Sequence, residues 1–379
     1  MERKLASIQK IVSIDPIEKY DKVETAQVLG WNCIVKKDDF KPNDLCVYFE
    51  PDSVLYPNPI WDSFLAKRKW KIKTIKMCGT ISQGLVLPIS ILEQLVPNAK
   101  IKLEEGTDLT EILNVTHFEK GKLSDYNDPK PTKPKSKFVN FMMKFAWFRF
   151  IYLFLFGSKP KGQFPTTIIS KTDETNIQSI PAILKTNIGR TFYITEKLEG
   201  QSATYMLFPK SGFINKLLKR NEFMVCSHNV KLSQENTSSW WYVAHQYGIK
   251  QILEAYYKQT GIHLAIQGEI IGTGIQKNIY KIDGYQFFVF NIKNLNENRY
   301  LDLYEKKALC FRMGLNMVPI INDNFIIDEN ITPQTLLSLS NGFSTLADTK
   351  REGFVVRALD DDSVSFKVRS PEYLLNEKD

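Results

Sequence analysis

The sequence is poor in the residues that bind transition metals and form disulfides. Its 379 residues include five cysteines and four histidines. The cysteines are scattered without a CxxC pair, and no two histidines have the spacing of HExxH or HxxxH. These absences argue against a zinc site and against a disulfide framework. We therefore expect the cysteines to be buried or reduced thiols.

The N-terminal segment has none of the features of a secretion signal. It reads MERKLASIQKIV, with charged residues and no apolar core. Because a signal peptide needs such a core, we expect an intracellular protein, in the cytoplasm or the nucleus.

One long apolar stretch stands out from an otherwise ordinary composition. Residues 138–156 read FVNFMMKFAWFRFIYLFLF and approach the length of a membrane-spanning helix. Asn140, Lys144 and Arg149 lie inside it, and a charged residue at the bilayer centre costs about 2.5 to 3.5 kcal/mol on insertion scales. We favour a helix packed against the protein over an interfacial membrane anchor, and such an anchor over a true span.

The chain carries more basic than acidic side chains. Lysine and arginine number 50 against 42 for aspartate and glutamate, which gives a net charge of +8. This balance favours a polyanionic partner such as nucleic acid, although net charge does not separate nucleic acid from phosphorylated small molecules. Apolar residues make up 43% of the chain, enough for packed cores, and the length predicts two domains.

The local patterns divide the chain into three parts. Residues 1–116 contain short β-branched runs separated by turn signals, the pattern of a small OB-type β-barrel. Residues 117–165 form a basic and apolar linker rich in lysine and proline. Residues 166–379 alternate strand and helix patterns, with helices predicted over 239–260 and 303–313, which indicates an α+β domain of antiparallel sheets with flanking helices.

The run KRKWKIKTIK in the first domain spaces its lysines two residues apart. On a strand, Lys69, Lys71 and Lys73 would lie on one face together with Lys67. Two interpretations remain open at this point. The run is either a solvated edge strand protected by lysines, or one wall of a groove that follows phosphates, with Trp61 or Trp70 nearby for stacking.

The second domain contains a lysine in a strand-like setting, ITEKLEGQS, with Lys197 two residues before Glu199. A lysine amine is a nucleophile only when it is deprotonated, which burial or a neighbouring cation favours. Glu199, Glu269 and Glu352 are predicted on different strands, where they could bind Mg²⁺ through its water ligands. The period of a strand also predicts that Lys197 and Glu199 share a face.

Basic residues near the C-terminus complete the pattern. Lys367 and Arg369 alternate on a predicted strand and could stabilise charge on a phosphoryl group during in-line displacement. Each feature alone has a simpler explanation: Glu269 could only pair with a lysine, Phe290 could be core, and REGFVVR could be an edge strand. Their occurrence together, in a fixed order, favours the catalytic interpretation.

The ordered series EKLEG, SHN, GEIIG, FFVFNI, REGFVV and FKV resembles motifs I, Ia, III, IIIa, IV and V of the nucleotidyltransferases that act through a covalent lysine adduct. RNA ligases, DNA ligases and mRNA capping enzymes belong to that superfamily. The segments SKTDETNIQSIP, AIQGEIIGTGIQKNIY and ISQGLVLP are similar, more closely, to ATP-dependent RNA ligases with an OB domain ahead of the catalytic domain. The resemblance covers nearly the whole chain.

The resemblance implies an α+β fold, with an N-terminal OB-type β-barrel followed by a nucleotidyltransferase domain of ATP-grasp-like antiparallel sheets and flanking helices. It also implies ATP and Mg²⁺ or Mn²⁺ as cofactors. Lys197 would take AMP from ATP, pass it to a 5′-phosphate RNA end and seal that end to a 3′-OH, as in repair of broken RNA. No obligate protein partner is implied. Two alternatives remain, another covalent nucleotidyltransferase (a DNA ligase or capping guanylyltransferase) or a non-catalytic RNA-binding protein on the same scaffold.

The residues that the resemblance assigns fall into four groups. The catalytic residues would be Lys197, Lys367 and Arg369. Nucleotide contacts would come from Glu196, Lys197, Glu199, Phe290, Glu352 and Lys367. A metal would be held, through water, by Glu199, Glu269 and Glu352. RNA contacts would come from His228, Asn229 and Gln276 and, if the lysine run lines a groove, from Lys69, Lys71 and Lys73. The chain has His228 where relatives often have arginine, and Arg369 where many have lysine.

Overall fold

A computed structural model describes residues 4–118, 162–210, 220–233 and 238–376. The apolar stretch 138–156 lies outside the described residues. Within the described ranges, no helix is long and apolar enough to cross a membrane.

The regular elements are numbered here in chain order. The strands are β1 Ala6–Ile17, β2 Tyr20–Val28, β3 Trp31–Lys36, β4 Leu45–Phe49, β5 Ser53–Val54, β6 Thr74–Met77, β7 Thr80–Gln83, β8 Leu85–Pro88, β9 Thr116–His117, β10 Gly162–Gln163, β11 Thr191–Glu196, β12 Gln201–Pro209, β13 Asn221–Ser227, β14 Val230–Lys231, β15 Leu264–Gly272, β16 Tyr285–Asn294, β17 Arg299–Tyr300, β18 Asn316–Met317, β19 Ile320–Ile326, β20 Gly353–Ala358 and β21 Ser365–Arg369. The helices are α1 Pro59–Leu65, α2 Ile91–Leu95, α3 Ala182–Thr186, α4 Ser239–Gln246, α5 Ile249–Thr260, α6 Leu303–Met313, α7 Pro333–Ser340 and α8 Pro371–Asn376.

Contacts divide the chain into two compact units. The first unit contains Met1–Phe118, Asp173–Leu198 and Val318–Asp379, and the second contains Glu119–Thr172 and Glu199–Met317. The N-terminal strands therefore belong to the same unit as two later segments of the chain. The chain passes from the first unit to the second directly after Leu198.

The N-terminal part of the first unit is built on a five-stranded antiparallel sheet in the order β3-β2-β1-β4-β8. The long strand β1 pairs with β4 through its first half and with β2 through its second half, and the pairing with β2 shifts register between Ile11 and Ser13. Ile8 packs in one apolar cluster and Ile11 in another. Such a shift bends and twists a strand, so that β1 can pair with both β4 and β2 in a curved sheet.

The part of the lysine-rich run that contains Lys67, Lys69, Lys71 and Lys73 is not a strand, so that prediction is wrong. Helix α1 is followed by a 3₁₀ turn, Ala66–Arg68, and the next strand begins only at Thr74. Lys69 has a left-handed backbone, with φ of 52°. Burial of Trp61 and Leu65 on α1 favours helical spacing over the strand period. The lysines consequently do not form one row.

The rest of the first unit contains a four-stranded antiparallel sheet in the order β19-β11-β20-β21. Its apolar core includes Phe192, Phe354, Phe366 and Val368, all buried. Because Phe366 and Val368 point into this core, the alternate positions of β21 lie on its other face.

The second unit has a sheet in the order β10-β14-β13-β12-β15-β16-β17, with β18 parallel to β16. The helix predicted over 239–260 is two helices, α4 and α5, because Gly248 adopts a left-handed conformation between them. The helix predicted over 303–313 is confirmed as α6, with a capping box formed by Asp302 and Glu305.

Candidate active site

The centre of the candidate site in the first unit is an ion pair between Lys197 and Glu352. Strand β11 ends at Glu196, and Nζ of Lys197 then lies 2.7 Å from Oε2 of Glu352. The backbone N–H of Lys197 also donates to the carbonyl of Gly353 at 3.0 Å. Antiparallel pairing of β11 with β20, with Glu196 opposite Phe354, brings these distant segments together.

Two more cations lie beside this pair. Strand β21 pairs with β20 so that Arg369 is opposite Gly353 and Lys367 is opposite Val355. Nε of Arg369 lies 3.5 Å from Oε1 of Glu352. The prediction that Lys367 and Arg369 share one face of a strand is confirmed, since the intervening Val368 is buried.

The charges in this cluster change one another's protonation. Burial alone would raise the pKa of Glu352, but the positive charges of Lys197, Arg369 and Lys367 together lower it below the ordinary value. Burial and the nearby Lys197 lower the pKa of Lys367. The cluster thus pairs an ionised carboxylate with three cationic side chains, an arrangement suited to binding phosphate oxygens.

A glycine allows the close approach of β20 and β21. Gly353 has a φ of 146°, which side-chain-bearing residues rarely adopt, and an added Cβ would collide with the carbonyl of Val368. Gly353 directly follows Glu352, so the strands pack tightly at the position next to this candidate site residue.

The prediction that Lys197 and Glu199 share a strand face, and that the three glutamates lie on different strands, is wrong. Lys197 and Glu199 do not share a strand face, because β11 ends at Glu196. Glu352 precedes β20, and of the three proposed metal residues only Glu269 lies within a strand, β15. The chain leaves the first unit after Leu198, two residues beyond the end of this strand.

Glu196 is buried, with 1% of its surface exposed. Its Oε2 accepts hydrogen bonds from the backbone N–H and the hydroxyl of Thr345, at 2.9 and 2.7 Å. Within the described part of the chain, its Oε1 is buried without a hydrogen-bond partner. Since burying an unsatisfied polar atom is costly, this oxygen is a candidate acceptor for a ligand.

In the second unit, Glu199 is held by a segment that follows β15. Its backbone N–H donates to the hydroxyl of Tyr280 at 2.8 Å, and its Oε1 accepts from the backbone N–H of Lys277 at 3.3 Å. Nε2 of Gln276 donates to the carbonyl of Gly200 at 3.2 Å. Gln276 thus supports the turn after Glu199. Tyr280, in the segment IQKNIY, contacts a candidate site residue, although the sequence pattern assigned it no role.

The remaining predicted residues of the second unit lie at several places on its sheet. Glu269 lies on β15 opposite Ser202 of β12, and Phe290 lies half-buried on β16. His228 and Asn229 form the turn between β13 and β14, where Nδ1 of His228 lies 3.1 Å from Oδ1 of Asn229. The proposed contacts of these residues with nucleotide or RNA remain predictions.

The candidate donor groups for a metal ion are carboxylate side chains. Among the residues that the structure describes, no three His, Cys, Asp or Glu side chains form a group that could hold a metal ion. Oε2 of Glu199 is nevertheless buried and has no hydrogen-bond partner in the same part of the chain. A carboxylate oxygen in that state fits a hard divalent cation or one of its water ligands.

The three predicted RNA-binding lysines lie in the first unit, close in sequence to α1. Lys69 and Lys73 are exposed. Lys71 instead lies 3.3 Å from a carboxylate oxygen of Asp52, and its ammonium is 3.2 Å from the ring centroid of Phe118. The structure therefore separates Lys71 from the two exposed lysines.

Contacts hold the side chains of the KTDE segment, including a hydrogen bond of 2.8 Å between the hydroxyls of Thr172 and Ser202. Oε1 of Glu174 accepts from Nη2 of the buried Arg357 at 2.5 Å. Glu174 therefore supplies a negative charge to the buried guanidinium of Arg357.

Comparisons with known proteins agree with this architecture. Residues 5–89 match a family described as an OB-fold domain, and residues 190–369 match the family described as RNA ligase. A comparison with curated proteins gave no match. The predicted α+β class, with an OB-type domain followed by a nucleotidyltransferase domain, is confirmed.

The chain is also similar to solved structures of Naegleria gruberi RNA ligase over its full length. An apo mutant is 30% identical, with 99% of this chain and 98% of that chain covered and a TM-score of 0.73. A mutant with ATP and Mn is 30% identical, with 100% of both chains covered and a TM-score of 0.74. A mutant with AMP and Mn is 30% identical, with 99% of both chains covered and a TM-score of 0.74. The chain therefore belongs to the RNA ligase family.

Proposed function

We propose that this RNA ligase uses ATP to join a 5′-phosphate end to a 3′-OH end through a lysyl-AMP and an RNA-adenylate intermediate. The observation that carries the proposal is the cluster of Lys197, Glu352, Lys367 and Arg369, in which a lysine follows the end of one strand and faces three charged groups. The binding of ATP and of AMP by the Naegleria enzyme supports the choice of nucleotide.

In the first step, Nζ of Lys197 would attack the α-phosphorus of ATP. A phosphorus–nitrogen bond forms, the bond to the β-phosphate oxygen breaks, and pyrophosphate leaves. The cations of Lys367 and Arg369 would neutralise charge that develops on the α-phosphate oxygens. Structures of the Naegleria enzyme include one with pyrophosphate, the leaving group of this step.

The nucleophile must first lose a proton. Lys197 pairs with Glu352 at 2.7 Å, and the lowered pKa of Glu352 keeps that carboxylate ionised. Lys197 would give its proton to solvent as its neutral amine attacks, while Lys367 and Arg369 neutralise the phosphate oxygens. Glu352 would hold the lysine in place until then.

The second and third steps use RNA. The 5′-phosphate oxygen of one end would attack the lysyl-AMP phosphorus, which breaks the phosphorus–nitrogen bond and returns Lys197. The 3′-OH of the other end would then attack the RNA phosphorus, and AMP would leave with the bonding electrons. Joining of such ends suits the repair of broken RNA.

A divalent cation, Mg²⁺ or Mn²⁺, would neutralise phosphate charge when bound. We propose Glu199, Glu269 and Glu352 as the residues that contact it through water, with the unpartnered buried oxygen of Glu199 as the best structural support. Among the nucleotide contacts, Phe290 would stack on the adenine and Glu196 would accept a hydrogen bond. His228, Asn229 and Gln276 would lie on the RNA side.

The same proposal divides the chain by role. Residues 1–116 would bind RNA as the OB domain, residues 117–165 would connect, and residues 166–379 would carry the ligase chemistry. Exposed Lys69 and Lys73 are the residues of the OB domain that would contact phosphates.

The proposal is tested by incubating the purified protein with radiolabelled ATP or GTP and then with nicked RNA or nicked DNA. We expect a protein–AMP adduct with ATP that is stable to alkali and labile to acid, as a phosphorus–nitrogen bond is, and that disappears as nicked RNA is sealed. An adduct with GTP alone would indicate a guanylyltransferase, and preferential sealing of DNA would indicate a DNA ligase. Absence of any adduct together with RNA binding would indicate a non-catalytic RNA-binding protein.

A further inference from the structure

The turn between β2 and β3 of the OB sheet is packed against a segment from much later in the chain. Gln178, only 2% exposed, donates from Nε2 to the carbonyl of Gly30 at 2.9 Å. The same nitrogen lies 3.4 Å from Oε1 of Gln83 at the end of β7. Both OB residues and Gln178 belong to the first unit.

The segment that contains Gln178 also pairs with the strand of the candidate site. The backbone N–H of Lys367 donates to the carbonyl of Thr175 at 2.9 Å, and Asn176 forms a parallel bridge with Lys367. Gln178 is two residues beyond this bridge. One short segment therefore contacts the OB turn through a side chain and the backbone of Lys367 through its main chain.

A second set of contacts leads from the same turn toward Glu352. A Cβ added at Gly30 would lie 3.1 Å from Cβ of Pro333, the first residue of α7. At the other end of α7, Arg351 donates from Nε to the carbonyl of Ser340 at 2.9 Å and from Nη2 to that of Leu339 at 3.0 Å. Arg351 directly precedes Glu352, so the position of α7 affects the position of that carboxylate.

We propose that Gln178 and Gly30 are positioning residues for the adenylation step, through which the OB turn braces Lys367 and Glu352. The inference rests on the proposed function, in which these two site residues serve the attack of Lys197 on ATP. In-line attack requires close alignment, and a misplacement of about 1 Å can reduce a rate by about 100-fold. The OB domain would thus contribute to a step that does not involve RNA.

Two substitutions test this bracing. Gln178→Met keeps the length and apolar packing of the side chain but removes the amide donor. Gly30→Ala adds a methyl group that must move Gln178 or Pro333 by a few tenths of an ångström, since both lie 3.1 Å from its position. Gln9→Met is the matched control, because Gln9 is a buried glutamine of the same OB sheet whose amide, among the described residues, donates to the nearby Ser7 at 2.8 Å.

The measurements are the rate of lysyl-AMP formation at saturating ATP, the ATP concentration for half-maximal rate, and the thermal unfolding midpoint. We expect the saturated rate to fall about tenfold or more in Gln178→Met and Gly30→Ala, as misalignment predicts, with less than a twofold change in half-saturating ATP. Gln9→Met should keep the wild-type rate, even if its unfolding midpoint falls by as much as the midpoints of Gln178→Met and Gly30→Ala.

The outcomes separate the inference from the proposed function. A wild-type protein that forms no adduct would overturn the proposed function itself. A wild-type protein that forms the adduct, with both variants at its rate or with Gln9→Met equally slow, would overturn only the bracing role. If Gln178→Met does not fold, Gly30→Ala decides the question alone.

Discussion

Nζ of Lys197 lies 2.7 Å from Oε2 of Glu352, although 155 positions separate the two residues in the chain. The pairing of β11 with β20 creates this contact, and β21 adds Lys367 and Arg369 beside it. The nucleophile and the charged groups proposed to assist it therefore lie on adjacent antiparallel strands or at their ends.

Lys197→Ala should abolish the protein–AMP adduct and RNA sealing with ATP, because no other amine would occupy the position of the nucleophile. Adduct formation is followed with radiolabelled ATP on a denaturing gel. Lys231→Ala is the matched control for adduct formation, since Lys231 also forms an ion pair, 2.8 Å from Glu222, and is not among the residues proposed for catalysis. Full sealing by Lys197→Ala would refute the assigned role.

Glu352→Gln should lower stability at neutral pH, because three cations lose their counter-ion, at a cost of about 1 to 3 kcal/mol. The folded-state pKa of Glu352 is below its ordinary value of 4.5. Its stabilising effect is therefore complete above pH 4.5 and is lost as the pH falls through the lower folded-state pKa.

The difference in urea midpoint between wild type and Glu352→Gln should consequently shrink as the pH falls below 4.5. Glu222→Gln, which removes a more exposed ion pair, is the control and should change stability by about 1 kcal/mol or less. A difference that is constant across this pH range would contradict the assigned charge interaction.

Lys367 should lose its charge at a pH below the ordinary 10.5 of a lysine, because burial and Lys197 lower its pKa. The rate of adduct formation should then decline at alkaline pH earlier than a normal lysine would allow. Lys367→Arg keeps the charge and should move that decline to higher pH, whereas Arg369→Lys should not. Identical alkaline profiles for wild type and Lys367→Arg would count against this role.

Tyr280→Phe should weaken metal use without removing a carboxylate. The Tyr280 hydroxyl accepts from the backbone N–H of Glu199 at 2.8 Å, and loss of one hydrogen bond costs about 0.5 to 1.5 kcal/mol. We expect the Mn²⁺ concentration for half-maximal adduct formation to rise about 2- to 10-fold, with a larger effect in Glu199→Ala. Tyr242→Phe, at an exposed tyrosine of the same unit, is the control; an unchanged Mn²⁺ requirement in Tyr280→Phe would refute the prediction.

Replacement of both Lys69 and Lys73 by alanine should flatten the salt dependence of RNA binding. Each lost phosphate contact lowers the slope of log binding constant against log salt concentration by about 0.7 to 0.9, so the loss of two contacts should lower it by about 1.4 to 1.8. Lys71→Ala should instead leave the slope unchanged and reduce stability, because Lys71 contacts Asp52 and Phe118. Adduct formation should persist in every variant. An unchanged slope in the double variant would identify an ordinary solvated surface.

The sequence by itself determined the class of fold, the family and the identity of the proposed nucleophile. Short β-branched runs indicated the N-terminal barrel, and six ordered motifs indicated the ligase chemistry, since each motif depends on a few adjacent residues. Period two also predicted the shared face of Lys367 and Arg369, because both residues lie within one regular strand.

Only the tertiary structure decided where the strands end and which distant segments pack together. Lys197 and Glu199 are two residues apart, yet the strand ends before both and they belong to different units. The lysine run near Lys69 has strand spacing but follows α1 as a turn, because burial of Trp61 and Leu65 favours the helix. The contact of Gln178 with Gly30 joins residues 148 positions apart, and local sequence patterns do not record packing over such separations.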